Sequence, residues 1–206
     1  MPSMMEVNGE GTVTAVPDRA LIVLGVVTEG PNLSAVQREN TQAITNVVAQ
    51  LTRLNIPKEQ IQTVTYRIEM VYSNEEDTQT LKGYRVTHLL QIMVYPIELT
   101  GRVVDTAVQS GANIVSSIQF TIGRPEAFYN QALANALQDA AIKAQTIART
   151  LGATLARLPV KVTEETRGPE LPVPFQGAFL AQSASTPILP GELTIRATVR
   201  VQYPYD

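Results

Sequence analysis

Apolar residues recur along this chain at two spacings, and each change of spacing marks a new element. Residues 7–16 are rich in Val and Thr, and residues 19–29 are apolar at odd and even positions alike, which is typical of a central strand covered on both faces. From Leu33 to Leu54 the apolar positions mostly fall three or four residues apart, which predicts an amphipathic helix with Asn32 as its N-cap. The chain therefore opens with two strands and a helix.

Two strands that alternate apolar and polar residues come next. Residues 61–72 and residues 83–95 carry most of their apolar side chains at one parity, so they are predicted to pair as a hairpin. The segment between them, residues 73–82, is polar, and its length predicts a projecting loop at the hairpin tip. This loop contains a run of three acidic residues: Glu75, Glu76 and Asp77.

The second half of the chain adds two helices and three strands. The predicted elements are a short helix at residues 99–110, a strand at 114–122, a long Ala-rich helix at 125–151, and strands at 160–163 and 193–203. Proline at the first helical position and glycine just past the last one are common, and Pro125 and Gly152 fit these places. The last strand alternates cleanly, which predicts that one of its faces is buried.

The order of these elements, β-β-α-β-β-α-β-α-β-β, mixes hairpins with crossovers. It predicts an α+β fold with a mostly antiparallel sheet and helices packed against it. At 206 residues the chain has the length of one large domain. We expect a single domain over residues 1–206, built either as one unit or as two packed subdomains, residues 1–95 and 96–206.

A proline-rich but apolar segment, residues 167–191, stands apart from this pattern. Its five prolines are expected to prevent regular strand pairing, and a long apolar loop needs a surface to cover. Two interpretations are open: contact with another protomer or partner, or a lid folded over its own domain. The candidate interface residues are Leu171, Val173, Phe175, Phe179, Leu180, Ile188 and Leu189.

Composition excludes several functional classes. With 16 Lys and Arg against 19 Asp and Glu, the chain lacks the basic excess that an electrostatic nucleic-acid binder needs. It has no Cys, so thiolate metal sites and Cys nucleophiles are ruled out. No apolar run is long enough for a transmembrane segment. Gly9 and Gly11 lack the third glycine and the preceding strand of a dinucleotide loop, so no cofactor is expected.

The remaining candidates for chemistry are weak. His88, the one histidine, shares the parity of Val86 and Leu90, which is typical of a core or interface histidine. A hydrolase would pair it with the acidic run at residues 75–77, but the sequence gives no such geometry. That run also lacks the spacing of a calcium loop. Four tyrosines suggest either a ligand patch or, more plainly, cross-strand packing: Tyr66, Tyr72, Tyr84 and Tyr95.

An ordered set of short motifs along the whole chain resembles the SIMPL-domain family of oxidative-stress-defence and periplasmic immunogenic proteins. The matching positions include Val7-Asn8-Gly9-Glu10-Gly11, Pro17-Asp18-Arg19-Ala20, Asn40, Gly83-Tyr84-Arg85-Val86, Gly111-Ala112-Asn113 and Gly152. The resemblance implies an α+β domain with no established enzymatic activity, large hollow oligomers in some relatives, and export to the cell envelope. Four of the shared residues are read as structural: Asn40 as a buried amide, Gly83 and Gly111 at turns or caps, and Gly152 as the helix cap.

Two functional hypotheses follow. The first is a non-enzymatic, self-assembling SIMPL-type protein linked to cell-envelope integrity or stress tolerance, whose partner is a second copy of itself. The alternative is a module that binds an apolar ligand or a protein, with residues 167–191 as its lid. Met1 to Glu6 contain no signal-peptide pattern, so we expect a cytoplasmic protein if Met1 is the true start and an extracytoplasmic one if a leader was removed.

Overall fold

The structure is a computed structural model that describes residues 3–75, 78–165, 173–175 and 186–206. Its helices and strands are β1 (Ser3–Ala15), β2 (Arg19–Gly30), α1 (Leu33–Arg53), β3 (Ile61–Glu75), β4 (Thr78–Val94), α2 (Thr100–Gln109), β5 (Ile114–Thr121), α3 (Pro125–Leu151), β6 (Lys161–Glu164), β7 (Val173–Phe175) and β8 (Glu192–Tyr205). The predicted α+β class, the antiparallel pairing and the three helices are confirmed.

The chain forms two compact units, each with its own sheet. Unit 1 comprises Met1–Pro17, Thr121–Phe179 and Pro190–Asp206, and unit 2 comprises Asp18–Phe120 and Leu180–Leu189. Their boundaries differ from the predicted halves because β1 and β8, from opposite ends of the chain, pair with each other. A single domain over residues 1–206 stays a prediction.

In unit 1, α3 lies on a sheet of strand order β1-β8-β6, with β7 pairing to β8. The helix contacts the sheet through small residues, chiefly Ala132, Ala136 and Ala140, which are fully buried. A methyl group built on Gly9 or Gly11 would lie 2.0 Å from a carbonyl oxygen of α3. The Gly9-x-Gly11 pair therefore lets the strand and the helix backbone approach closely.

The last strand and the long helix follow their predicted patterns. The inward residues of β8 are buried at every second position from Leu193 to Tyr203, which confirms the half-buried strand. The helix α3 begins with Pro125 and ends at Gly152, whose φ of 70° is left-handed. Gly152 donates its N–H to the carbonyl of Ala148, as a helix C-cap does.

In unit 2, the strand order is β3-β4-β2-β5, so β2 is central as predicted. The helices α1 and α2 bury one face of this sheet around Ile22, Leu24 and Ile92. The expectation that β2 is covered on both faces holds for one face only, since Leu21 and Val23 on the other remain partly exposed. Asn32 caps α1 by accepting from the N–H of Ala35 at 3.0 Å, which confirms that prediction.

Two local predictions were wrong. The prolines of the 167–191 segment do not prevent pairing throughout, because β7 pairs with β8 and places Pro174 opposite Leu193. A proline, which has no N–H, is tolerated on an edge strand such as β7. The polar loop predicted at residues 73–82 is mostly strand, since β3 runs to Glu75 and β4 begins at Thr78. Residues 76 and 77 lie outside the described residues.

Candidate functional site

The β3–β4 hairpin forms one end of the sheet in unit 2. Strand β3 pairs with β4 on one side, and no described strand pairs with its other side. An edge strand of this kind leaves backbone N–H and C=O groups available to another chain. The free edge of β3 is therefore a place where a partner can add a strand.

One face of this edge strand is apolar and exposed. Alternate residues point to the same face, and their exposed fractions are 48% for Tyr66, 42% for Ile68, 59% for Met70 and 46% for Tyr72. We call these four residues the β3 stripe. Exposed apolar residues occurring singly need no explanation, but a contiguous row on an unpaired edge indicates a contact surface.

The β3 stripe lies on the side of the sheet that carries α1. Gln37 of α1 donates from Nε2 to the Tyr66 hydroxyl at 2.9 Å. Across the ladder, Ile68 pairs with Val86, which is fully buried. The helix therefore covers the β4 side of this face and leaves the outer strand open.

The opposite face of the hairpin carries a row of alternating charges. The ladder places Glu69 opposite Arg85, and Arg85 opposite Glu29 on β2. Arg85 donates from Nε to Glu29 Oε1, and Glu29, with a smaller effect from Glu69, raises the pKa of Arg85. We call Glu29, Arg85 and Glu69 the charge row. Such exposed pairs contribute little to stability, but they set which strand positions fit opposite each other.

The pairing of β3 with β4 is interrupted at two places. The register shifts between Thr63 and Thr65 and again between Val71 and Tyr72. Residues 65–71 therefore pair with β4 without a break, and Ile68 lies at the centre of this regular segment. The irregularity before it is an extra residue of β3, Val64, and the one after it is an extra residue of β4, Lys82. Within the regular segment, Arg67 and Glu69 flank Ile68, and their side chains lie 3.6 Å apart.

A shallow groove lies beside the hairpin. Its lining residues are Glu29, Gly30, Pro31, Val71, Lys82, Gly83 and Tyr84. A methyl group on Gly83 would lie 2.4 Å from the Gly30 carbonyl oxygen, so glycine is needed for this close approach. The carboxylate of Glu29 is already paired with Arg85, and the groove therefore presents no free acid–base pair.

His88 faces the β3 stripe rather than a carboxylate. Its Nε2 lies 3.1 Å from Thr63 Oγ1, and its ring meets Tyr66 edge-on with centroids 5.2 Å apart. Burial lowers the pKa of His88, which favours the neutral ring. A hydroxyl beside an imidazole is one part of a nucleophilic pair, but a group that orients the second ring nitrogen is also required. The described contacts of His88 include none.

The described part of the chain offers no metal centre and no membrane-spanning helix. No group of three or more Asp, Glu or His side chains comes together there in a way that could bind a metal ion. Among the described helices, none combines the length and the apolar character required to cross a bilayer. Of the acidic run, residues 76 and 77 fall outside the described residues.

The residues read as structural have distinct places. Asn40 is 1% exposed, and its Nδ2 donates to the carbonyls of Val26 and Val86 at 3.0 and 3.2 Å. Gly111 follows the C-terminus of α2, and Gly152 caps α3. Gly83 lies inside β4 rather than at a turn, because the strand extends further than the sequence pattern indicated.

The candidate interface residues are divided among different places. Ile188 packs against the core of unit 2, while Leu189 is 49% exposed. Thr186 ties this end of the segment to α2, since its N–H and hydroxyl both donate to the Asp105 carboxylate, which lowers the pKa of Asp105. Val173 and Phe175 belong to β7. Three of the candidates lie outside the described residues: Leu171, Phe179 and Leu180.

Nearly the whole of this chain is similar to known proteins. A family model named SIMPL, described as "Protein of unknown function (DUF541)", matches residues 5–203. The chain belongs to the SIMPL family. The SIMPL match spans both units, since it begins in β1 and ends in β8. This confirms the resemblance seen in the motifs.

Three SIMPL relatives illustrate the range of similarity. The "26 kDa periplasmic immunogenic protein" of Brucella melitensis is 30% identical over 213 residues, covering 98% of this chain and 84% of the relative. The "Uncharacterized protein YggE" of Escherichia coli K12 is 23% identical, covering 68% of this chain and 57% of the relative. The YggE of Edwardsiella ictaluri is 24% identical, covering 72% and 62%. Not one of these three names refers to a reaction.

Sequence reasoning missed both the exposure of the β3 stripe and the charge row. The alternation at residues 61–72 indicated that Tyr66, Ile68 and Met70 share a face. It did not indicate that β3 is an edge strand, because strand order depends on which distant segments pair. The sequence did indicate that the other face of this strand is charged, because Arg67 and Glu69 lie on either side of Ile68.

Proposed function

We propose that this SIMPL protein is a non-enzymatic, self-assembling protein that acts in the cell envelope and contributes to its integrity or to stress tolerance. The observation that carries the proposal is the β3 stripe, an exposed apolar row on an edge strand with no described partner. A second copy of the chain would pair with the backbone of this edge and place its own apolar side chains beside the row. Assembly is therefore the activity that the geometry supports best.

The physical support is the cost of leaving such an edge open. Natural proteins usually protect edge strands with charged residues, above all lysine, with proline or with bulges. In β3 the regular segment, residues 65–71, has no lysine, proline or extra residue; it carries Arg67 and Glu69 on one face and presents Tyr66, Ile68 and Met70 to solvent on the other. Burying these side chains against a neighbour would be favourable.

The proposed location rests on the relatives. The Brucella melitensis relative is periplasmic by name and covers nearly the whole of this chain. We propose that this protein acts in the same compartment. Fractionation of cells that express the full reading frame tests this, and recovery of the protein in the cytosolic fraction alone would contradict it.

The absence of catalysis is proposed from the described chemistry. His88 contacts a threonine and a tyrosine, and the groove carboxylate Glu29 is paired with arginine. Neither arrangement provides a nucleophile, a base and an orienting group together. The protein is thus expected to act through contacts rather than through a reaction.

A second candidate is a ligand-binding module with residues 167–191 as its lid. The favouring observation is that the C-terminal end of this segment is attached to unit 2, through Thr186 on Asp105 and Ile188 in the core. Deleting residues 171–185 separates the candidates. The lid hypothesis predicts that binding of a hydrophobic fluorescent dye is lost, whereas self-assembly through β3 predicts that it is kept; both predict an unchanged molar mass.

The test of self-assembly is the solution molar mass of matched variants. Met70 on the β3 stripe is 59% exposed, and Ile142 on α3 is 56% exposed. We expect Met70→Glu to lower the mass measured by light scattering, because it places a charge in an apolar contact. Ile142→Glu should leave the mass as in the unchanged chain. Equal masses for all three proteins would remove the β3 stripe as the contact surface.

A further inference from the structure

We propose that two copies of this chain pair β3 with β3 in antiparallel orientation, about a two-fold axis that passes through Ile68 perpendicular to the sheet. The inference rests on the proposed self-assembly and specifies its partner and register. The two four-stranded sheets of unit 2 would become one continuous eight-stranded sheet, with α1 of each copy on the same face. An isologous contact of this kind closes on itself.

The first observation is the placement of charge. In this register every residue lies opposite the one equally far from Ile68 on the other side of the axis. Arg67 thus faces Glu69 of the partner subunit, and Glu69 faces Arg67 of the partner subunit. Opposite charges directly across an antiparallel pair are favourable. The same two residues serve both contacts, as the symmetry requires.

Neighbouring registers lose this match. An axis through Arg67 would place two arginines face to face, and an axis through Glu69 would place two glutamates face to face. Like charges directly opposite are unfavourable. An axis through Tyr66 or Met70 would leave both charges without an opposite charge across the pair. Among these five positions, the axis through Ile68 alone pairs opposite charges.

The second observation is the apolar face. The register places Tyr66 opposite Met70 of the partner subunit, and Ile68 opposite its own copy. Because opposite residues of an antiparallel pair point to one face, the two β3 stripes merge into one apolar surface. The side chains of the β3 stripe, 42% to 59% exposed in the single chain, would thus lie beside apolar side chains of the partner subunit, a favourable cross-strand contact.

The third observation is the position of the irregularities in the β3–β4 ladder. The regular segment at residues 65–71 is centred on the same residue, Ile68, as the charges. A two-fold pair centred there uses all seven residues of the segment in both copies. The extra residue of β3, Val64, then lies at one end of the contact and Val64 of the partner subunit at the other end, where pairing would stop.

The pairing also extends the charge row. Within one copy the row runs from Glu29 to Arg85 to Glu69, with alternating sign. The next position across the new pair is Arg67 of the partner subunit. The row thus continues with the sign that the alternation requires, and a second, symmetric row forms on the other side of the axis.

The first test uses charge reversal. Arg67→Glu or Glu69→Arg alone would place like charges opposite each other twice in the pair, and we expect dimer dissociation constants raised about tenfold or more. An equimolar mixture of the two single variants restores opposite charges at both positions of the heterodimer, and it should associate more tightly than either variant alone because the contacts within each chain, including residue 69 with Arg85, stay the same. Analytical ultracentrifugation measures the unchanged chain, the two variants and the mixture. Equal association of the unchanged chain and the single variants, or no gain on mixing them, would overturn the register.

The second test uses the lack of cysteine in the chain. Directly opposite residues have Cα atoms about 4.5–5.5 Å apart, within the range of a disulfide. Ile68→Cys should therefore form a disulfide with its own copy on mild oxidation. Met70→Cys alone should not, since its two copies would lie about 14 Å apart. Mixing it with a tagged Tyr66→Cys chain should give a linked heterodimer.

These tests separate the register from the proposed function. If the chain associates but Ile68→Cys does not link, the β3 pairing is overturned while self-assembly through another surface stands. If the unchanged chain sediments as a monomer at tens of micromolar, both are overturned. Linking of Met70→Cys to itself would show a different register and would also overturn this one.

Discussion

Asn40 shows how one buried polar residue connects three elements. Its Nδ2 donates to carbonyl oxygens of β2 and β4, and it lies 3.3 Å from the Thr28 hydroxyl. Thr28 in turn donates to the Val36 carbonyl of α1. A buried amide is costly unless it is hydrogen-bonded, so these bonds fix the position of α1 on the sheet.

Replacing Asn40 is expected to destabilise unit 2. Asn40→Ala removes the donors and leaves space in a buried site, and we expect a loss of about 2–3 kcal/mol in the free energy of unfolding. Urea denaturation followed by circular dichroism measures it. Asn46→Ala, on the exposed side of the same helix, is the control and should change the free energy by less than about 0.5 kcal/mol. A similar small loss for both variants would contradict this role.

His88 is expected to make stability depend on pH. Burial lowers the pKa of His88 in the folded state below its ordinary value of 6.5, so the unfolded chain binds more protons between the two pKa values. Stability should therefore fall as the pH drops from about 6.5 through the lowered folded pKa. Urea midpoints at pH 7.5 and pH 5.5 measure the effect. In His88→Asn this fall should be smaller, and an unchanged pH dependence would contradict the assignment.

At the scale of single residues, the sequence predicted Asn40 as a buried amide and Asn32 as a helix cap, but it did not predict which charged residues pair. Asn40 falls on the apolar side of a helix, and such a position already implies buried hydrogen bonds. The pairing of Glu29 with Arg85 could not be predicted, because it depends on the register between β2 and β4. Residues 56 positions apart in the chain meet there.

Among the elements, α3 and β1 pack closely against each other. Asp139 of α3 accepts from the N–H of Glu10 at 2.9 Å and pairs with Lys143, and these contacts lower the pKa of Asp139. Asn135 donates to the Thr12 carbonyl. Polar side chains of the helix thus bond to the strand backbone next to the two glycines.

Gly11→Ala is expected to disturb this packing. Its methyl group would lie 2.0 Å from the Ala132 carbonyl oxygen and 2.4 Å from the Ala136 nitrogen, and backbone atoms cannot move aside cheaply. We expect a loss of about 3 kcal/mol, measured by thermal denaturation. Gly152→Ala is the matched comparison, since its added methyl meets no atom within 4 Å. It should cost about 1–2 kcal/mol, from the left-handed backbone alone. A loss at Gly11 no larger than at Gly152 would contradict close packing.

The spacing of apolar residues predicted the elements whose apolar positions repeat regularly. It did not predict strands that form only because a neighbouring strand pairs with them. The helices and β8 were predicted closely because their apolar residues repeat at 3.6 or 2. Strand β7 was missed because Pro174 argues against pairing in any central strand. The ends of β3 and β4 were missed because polar residues at residues 73–82 are compatible with an exposed hairpin as well as with a loop.

For the whole molecule, the sequence predicted the class of fold but not the pairing of the first strand with the last. Strand β1 pairs with β8 over its full length, from Ser3 opposite Tyr205 to Ala15 opposite Leu193. No local pattern reports a contact between the two ends of a chain. Membership of the SIMPL family, which spans residues 5–203, was predictable because motifs in both units contribute to it.

The central claim is that this SIMPL protein acts by associating with copies of itself. The most direct measurement is the molar mass of the unchanged chain by light scattering at tens of micromolar protein. We predict a mass that is a multiple of the 22.4 kDa of one chain, with the dimer as the smallest assembly. A single species of one chain's mass over that concentration range would contradict the claim.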